Sequence, residues 1–97
     1  MITLKQIDYA LAVSQTLHFK KAAEVSFVSP STLSNAITEM EKHLGFKVFE
    51  RDNKKVFVTA LGAEFLKKAQ SIQLQIFDIQ KLVENQSDPL SSNLSIG

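Results

Sequence analysis

The chain has 97 residues, of which 44% are hydrophobic and 22% charged, a globular balance sized for one ordinary domain. It has no cysteine, which excludes disulfides, thiolate nucleophiles and Cys-ligated zinc. Net charge is only +1, with eight basic and six acidic side chains in residues 1–59 and three and four in residues 60–97, so the sum decides nothing about nucleic acid and placement matters more.

Three glycines and two prolines are few turn-formers for this length, which favours long helices over many short strands. No apolar run approaches the roughly 18 residues of a membrane span, so no membrane partner is expected. The start, Met1-Ile2-Thr3-Leu4-Lys5-Gln6, has no signal-peptide pattern, and the expected compartment is the cytoplasm.

A first helix is predicted from Leu4 to Gln15. Thr3 and Gln6 have capping-box spacing, and Leu4, Ile7, Ala10, Leu11 and Ser14 share one face. Thr16-Leu17-His18 reads as a break, followed by a short helix from Phe19 to Ser26. In it Ala22-Ala23 allow another helix to cross closely, and Lys20 and Lys21 face outward. Phe27-Val28 is a tight connector.

Ser29 as N-cap and Pro30 at the first helical position start a third helix. Its apolar stripe is Leu33, Ala36, Ile37, Met40 and Leu44, and Gly45 suits its end. The opposite face near the start carries Ser31, Thr32, Ser34, Asn35 and Thr38. Val48-Phe49 and Val56-Phe57-Val58 then flank the polar run 50–55, the pattern of a β-hairpin with Arg51, Asn53, Lys54 and Lys55 at its tip.

Thr59 can cap a last helix, from Ala60 to Asn85. Phe65, Ala69, Ile72, Ile76, Ile79 and Val83 recur at alternating spacings of four and three, a heptad seam flanked by Leu66, Leu74, Phe77 and Leu82. A chain this short offers little for such a stripe to pack against, so it reads as a homodimer interface. Residues 86–93 have linker composition, and Leu94-Ser95-Ile96-Gly97 alternates like the start of a strand belonging to a following domain.

The order of helix, short helix, tight turn, capped helix, basic hairpin and long helix is that of a helix-turn-helix with a wing. An α-helix fits the DNA major groove, and small polar side chains at its start reach base edges. The candidates for base contact are therefore Pro30, Ser31, Thr32, Ser34, Asn35 and Thr38. Those for phosphate or wing contact are Lys20, Lys21, Ser29, Arg51, Asn53, Lys54 and Lys55. His18 and His43 have no second ligand at metal spacing, and no catalytic set or Gly-rich phosphate loop is present. Neither metal nor cofactor is expected in this fragment, and no enzyme activity.

The runs Phe19-x-x-Ala22-Ala23, Val28-Ser29-x-x-Thr32-Leu33-Ser34-x-x-Ile37 and Glu41-x-x-Leu44-Gly45-x-x-Val48-Phe49-Glu50-Arg51 stand in order. Val58-Thr59-Ala60-Leu61-Gly62 and Leu94-Ser95-Ile96-Gly97 follow them. Together they resemble the N-terminal domain of LysR-type transcriptional regulators over nearly the whole chain. The wording around Thr32-Leu33-Ser34 and at the C-terminal end is similar to the peroxide-responsive branch. The resemblance implies a winged helix-turn-helix with a dimerising linker helix, followed by an effector-binding domain of periplasmic-binding-protein type. Two departures stand out. The family usually has Gln-Pro where this chain has Pro30-Ser31, and a longer polar residue at Ala36. Proline cannot make the bidentate adenine contact of glutamine, which shifts base reading onto Ser31, Thr32, Ser34 and Asn35.

The expected fold is mainly α, a winged helix-turn-helix of three helices and a β-hairpin followed by a long dimerisation helix. Residues 1–59 form the DNA-binding domain, 60–86 the linker helix, and 87–97 a hinge and the start of the effector domain. The expected partners are double-stranded DNA and a second copy through the linker helix, with a tetramer open to the full-length protein. Any small-molecule or redox effector belongs to the missing domain. The rival reading is a protein–protein adaptor that works through the long amphipathic helix.

Overall fold

Thr3 opens the first element with both halves of a capping box. Its hydroxyl accepts from the Gln6 amide at 3.1 Å, and the Gln6 side chain accepts from the Thr3 amide at 3.0 Å. In this computed structural model, which describes residues 1–53 and 55–87, the elements are α1 (Leu4–Thr16), α2 (Phe19–Val25), α3 (Pro30–Leu44), β1 (Phe49–Asp52), β2 (Lys55–Val58) and α4 (Ala60–Ser87). Lys54 and residues 88–97 lie outside the described residues, and with them the linker and the strand expected at Leu94–Gly97.

α1 buries Ile7, Ala10 and Leu11 as its spacing predicts, and Tyr9 and Val13 as well, while Leu4 stays exposed. α2 is capped by a residue that periodicity does not reveal. The Nδ1 of His18 accepts from the Lys21 amide at 3.2 Å, so His18 is a helix cap. Ala22 and Ala23 are buried where α2 meets α1 and α3, because a methyl group lets the backbones approach. α3 starts at the Ser29 cap with Pro30 in its first turn and ends at Gly45, whose φ of +82° is the left-handed conformation glycine adopts without strain.

The hairpin differs from its prediction. β1 and β2 pair antiparallel from Phe49↔Val58 to Asp52↔Lys55, so the strands run through the polar residues. Arg51 and Lys55 therefore sit on strands, and Asn53 lies in the turn between them. Asn53 adopts a φ of +55°, which a tight two-residue hairpin connection requires and asparagine tolerates.

Leu11, Val13, Leu33, Met40 and Val48 are the largest fully buried side chains, so α1, α3 and the chain entering β1 share one core. Three contacts fix the wing and α4 to it. The Glu41 carboxylate on α3 accepts from the backbone amides of Val48 at 2.8 Å and Phe49 at 3.1 Å. The Thr59 amide donates to the Val48 carbonyl at 2.9 Å, and the Thr59 hydroxyl accepts from the Gly62 amide at 2.9 Å. At Gly62 the backbones meet so closely that an added Cβ would lie 2.3 Å from the Val48 carbonyl oxygen.

The radius of gyration is 17.0 Å, against about 12.5 Å for a compact chain of this length. The excess comes from α4. Its early residues Leu66 and Ala69 are buried in the domain core, and Gln73 still reaches Asp8 on α1 at 3.4 Å. Beyond that point the helix projects.

Candidate nucleic-acid interface

α3 turns about 100° per residue, which separates the candidate residues into positions that are not equivalent. Leu33, Ile37 and Met40 point into the core. Ser31, Asn35 and Thr38 fall at i, i+4 and i+7 on the opposite side and form the centre line of the exposed face. Thr32 and Ser34 flank that line, and Pro30 stands exposed in the first turn.

Ser29, Thr32 and Thr38 use their hydroxyls locally. Ser29 accepts from the Thr32 amide at 3.1 Å and donates to the Thr32 hydroxyl at 2.9 Å. Ser29 is thus the cap of α3 as well as a phosphate candidate, and it holds Thr32 in place. Thr38 donates to the Ser34 carbonyl at 2.9 Å, which orients its methyl group and hydroxyl against the helix. Ser31 and Asn35 are exposed beside them. Small polar groups so close to the helix start leave the face flat enough to enter a groove.

The wing stands beside this face on the Ser34 side. Arg51 projects from β1 back toward the helices. Its guanidinium lies 3.7 Å from the centroid of the Phe19 ring and donates to the Ser34 hydroxyl at 3.1 Å. Phe19 is in turn edge-on to Phe49, with ring centroids 6.2 Å apart and planes at 81°. Asn53 and Lys55 are exposed at and beside the tip, and Lys54 lies outside the described residues. Lys20 and Lys21 are exposed on α2. Lys47 pairs with Glu50 at 3.7 Å and Lys42 with Glu39 at 3.8 Å, exposed pairs that contribute little energy. The structure thus brings Ser34, Arg51 and Phe19 into one cluster across three elements and leaves Lys20, Lys21 and Lys55 as separate exposed charges.

Sequence reasoning missed three contributors. Glu41 ties the wing to α3, His18 caps α2, and Phe19 provides a ring for Arg51. Only the cap has a local sequence signal, since a side-chain acceptor three residues before an amide is the N-cap spacing. The other two depend on contacts between elements.

The α4 seam is divided. Ala69 is 1% exposed and Leu66 7%, and Phe65 packs partly buried against the same core. Phe65 and Ala69 are thus used by the chain itself, because the first turns of α4 dock on its own domain. Ile72, Ile76, Ile79 and Val83 continue the same face, with Ile79 58% exposed, and Leu74, Phe77 and Leu82 are exposed around them. Among the described residues, no group of three or more His, Cys, Asp or Glu side chains could hold a metal ion, and no helix is long and apolar enough to cross a membrane.

Residues 4–63, from the start of α1 into the first turn of α4, match the family model of the bacterial regulatory helix-turn-helix proteins of the LysR type. The chain belongs to the LysR family. It is similar to the transcriptional regulator EstR of Acinetobacter baylyi, with 39% identity over 95 residues that cover 98% of this chain and 32% of EstR. It is also similar to OxyR of Escherichia coli, with 28% identity over 96 residues that cover 99% of this chain and 32% of OxyR. The chain thus spans about a third of the length of these regulators. The higher identity to EstR does not single out the peroxide-responsive branch. A full-length OxyR structure from Pseudomonas aeruginosa superposes with a TM-score of 0.81 at 34% identity, covering 86% of this chain and 28% of that one. Its match confirms the winged helix-turn-helix fold of LysR DNA-binding domains.

Proposed function

We propose that this chain is the promoter-reading end of a LysR-type transcriptional regulator and binds double-stranded DNA as a homodimer. The observation that carries the reading is the exposed start of α3. A capped helix presents Ser31, Thr32, Ser34, Asn35 and Thr38 beside a hairpin wing, in a chain that belongs to a family of helix-turn-helix regulators. Base contacts come from these residues, with Pro30 limited to apolar contact with a thymine methyl. Phosphate contacts come from Lys20, Lys21 and the wing residues Asn53, Lys54 and Lys55, with Ser29 at the helix start.

The second copy pairs through the projecting part of α4, where Ile72, Ile76, Ile79 and Val83 continue the face that the domain core covers nearer the start. Two α4 helices side by side place two recognition helices on successive major grooves, about 34 Å apart on one face of the duplex. A pseudo-palindromic site follows from the two-fold symmetry. The adaptor reading accounts for α4 but leaves the polar face of α3 and its wing without a role, and it is not favoured.

Within the whole regulator, residues 1–59 supply the reading head and 60–86 the linker helix. Residues 87–97 lead into an effector-binding domain that carries any small-molecule or redox sensing and any tetramer contacts. The role we read for the site is binding rather than catalysis, carried out in the cytoplasm where the chromosome lies.

The test is fluorescence anisotropy of the chain against a random-sequence duplex over a range of salt concentrations. Affinity that falls steeply and linearly in log–log form supports phosphate neutralisation. A stable dimer that binds no duplex at low salt overturns the reading and favours the adaptor.

A further inference from the structure

Strand alternation places Arg51 on the same face of β1 as buried Phe49, and opposite half-buried Val56 on β2, while Glu50 and Asp52 take the other face. This is the face that looks toward α2 and α3, so Arg51 turns away from the outer side of the wing. Its guanidinium is held there by two groups of different chemistry. Its Cζ stands over the Phe19 ring, 3.7 Å from the centroid, and the Ser34 hydroxyl accepts from one of its terminal nitrogens at 3.1 Å. Among the described residues no carboxylate forms an ion pair with it.

We propose that Arg51 is a positioning residue for the recognition face, acting through Ser34, rather than a phosphate contact of the wing. The proposal rests on the DNA-binding reading above. A planar guanidinium stacks on an aromatic face and still donates from its edge, whereas a lysine ammonium offers a point charge and cannot hold both contacts in that geometry. Arg51 thereby locks β1 to α2 and to the groove-facing helix at one point. Glu41 locks the same strand to α3 about two turns further along, through the Val48 and Phe49 amides. With its oxygen already accepting from Arg51, Ser34 keeps a hydroxyl proton to donate. It therefore suits an acceptor on the DNA, such as a purine N7 or a thymine O4. The wing then sets specificity from behind the recognition helix, and affinity for bulk phosphate comes from the lysines.

The first arm of the test uses the free chain. Arginine side-chain resonances of Arg51 should be shifted upfield by the Phe19 ring, and Phe19→Leu should abolish the shift in a chain that keeps its dispersed amide spectrum. Arg51 resonances at free-arginine positions in the wild type would overturn the proposal without reference to DNA. The second arm compares a duplex enriched from a random pool by the wild-type chain with an unselected duplex, over a salt series. Arg51→Lys and Arg51→Ala should both lose about tenfold on the enriched duplex, the range of a hydrogen bond to a charged group. They should bind the unselected duplex as before, with the salt slope unchanged. Arg51→Ala combined with Ser34→Ala should bind no more weakly than Arg51→Ala, since the two residues act as a unit. A phosphate contact gives the opposite pattern. Arg51→Lys would then match wild type, and Arg51→Ala would weaken both duplexes alike and flatten the salt slope by about one. A wild-type chain that bound neither duplex would overturn the DNA reading, while the ring-current result would still decide where Arg51 sits.

Discussion

α3 and α4 are both amphipathic helices with one face on the same core, yet the faces they leave exposed are opposites. α3 exposes Ser31, Asn35 and Thr38, short groups that hydrogen-bond and bury little apolar area. α4 exposes Ile72, Leu74, Phe77, Ile79 and Leu82, which carry the largest apolar side chains on the projecting part of the molecule. A polar face of small residues matches a hydrated, charged partner whose specificity lies in hydrogen bonds. A stripe of Ile, Leu and Phe matches a second apolar helix. The difference teaches that the composition of an exposed face identifies the class of its partner before any partner is seen.

The contrast is broken most severely at α4. Ile79→Asp puts a carboxylate on the exposed stripe, away from the core, so the chain should fold normally. Two copies should dissociate by at least about 3 kcal/mol, because a dimer would bury an unpaired charge from each copy. Sedimentation should show a monomer, and binding to the enriched duplex should fall with it.

The junction between the two faces comes next. Gly62→Ala forces a methyl group against the Val48 carbonyl, where an added Cβ would lie at 2.3 Å. Thermal or urea unfolding should show a loss of about 2–3 kcal/mol, the upper range for overpacking, with wing and α4 loosened together.

On α3 the expected effect is smaller and confined to recognition. Asn35→Ala should weaken binding to the enriched duplex by about 1–2 kcal/mol while leaving the dimer and the unselected duplex unaffected. Glu39→Ala, which removes an exposed ion pair with Lys42 lower on the same helix, should change stability by less than about 0.5 kcal/mol. It marks where the working face of α3 ends.

Much of this architecture was legible in residue order. The Thr3–Gln6 box, the Ser29-Pro30 start and the Gly45 stop are local signals whose physics is complete within four residues, and the structure places α1 and α3 at those bounds to within a residue. The hairpin was legible as a hairpin but not in its extent. Glu50, Arg51 and Asp52 have no strand composition, and only pairing with residues 55–57 makes them a strand. The seam of α4 was legible as a stripe. Its division was not, because whether Ala69 meets α1 or another chain depends on where Gly62 lets the helix cross the Val48 backbone. The Arg51–Phe19–Ser34 cluster joins three elements separated by loops, and no spacing rule connects them.

The most direct measurement is the affinity of the chain for its enriched duplex after five base pairs are inserted between the two half-sites. Half a helical turn moves the second half-site to the far side of the DNA. If the α3 faces read DNA and the α4 faces hold them at a fixed separation, affinity should drop to that of Ile79→Asp on the original duplex. Unchanged affinity at either spacing would contradict a rigid α4 pair carrying two reading heads.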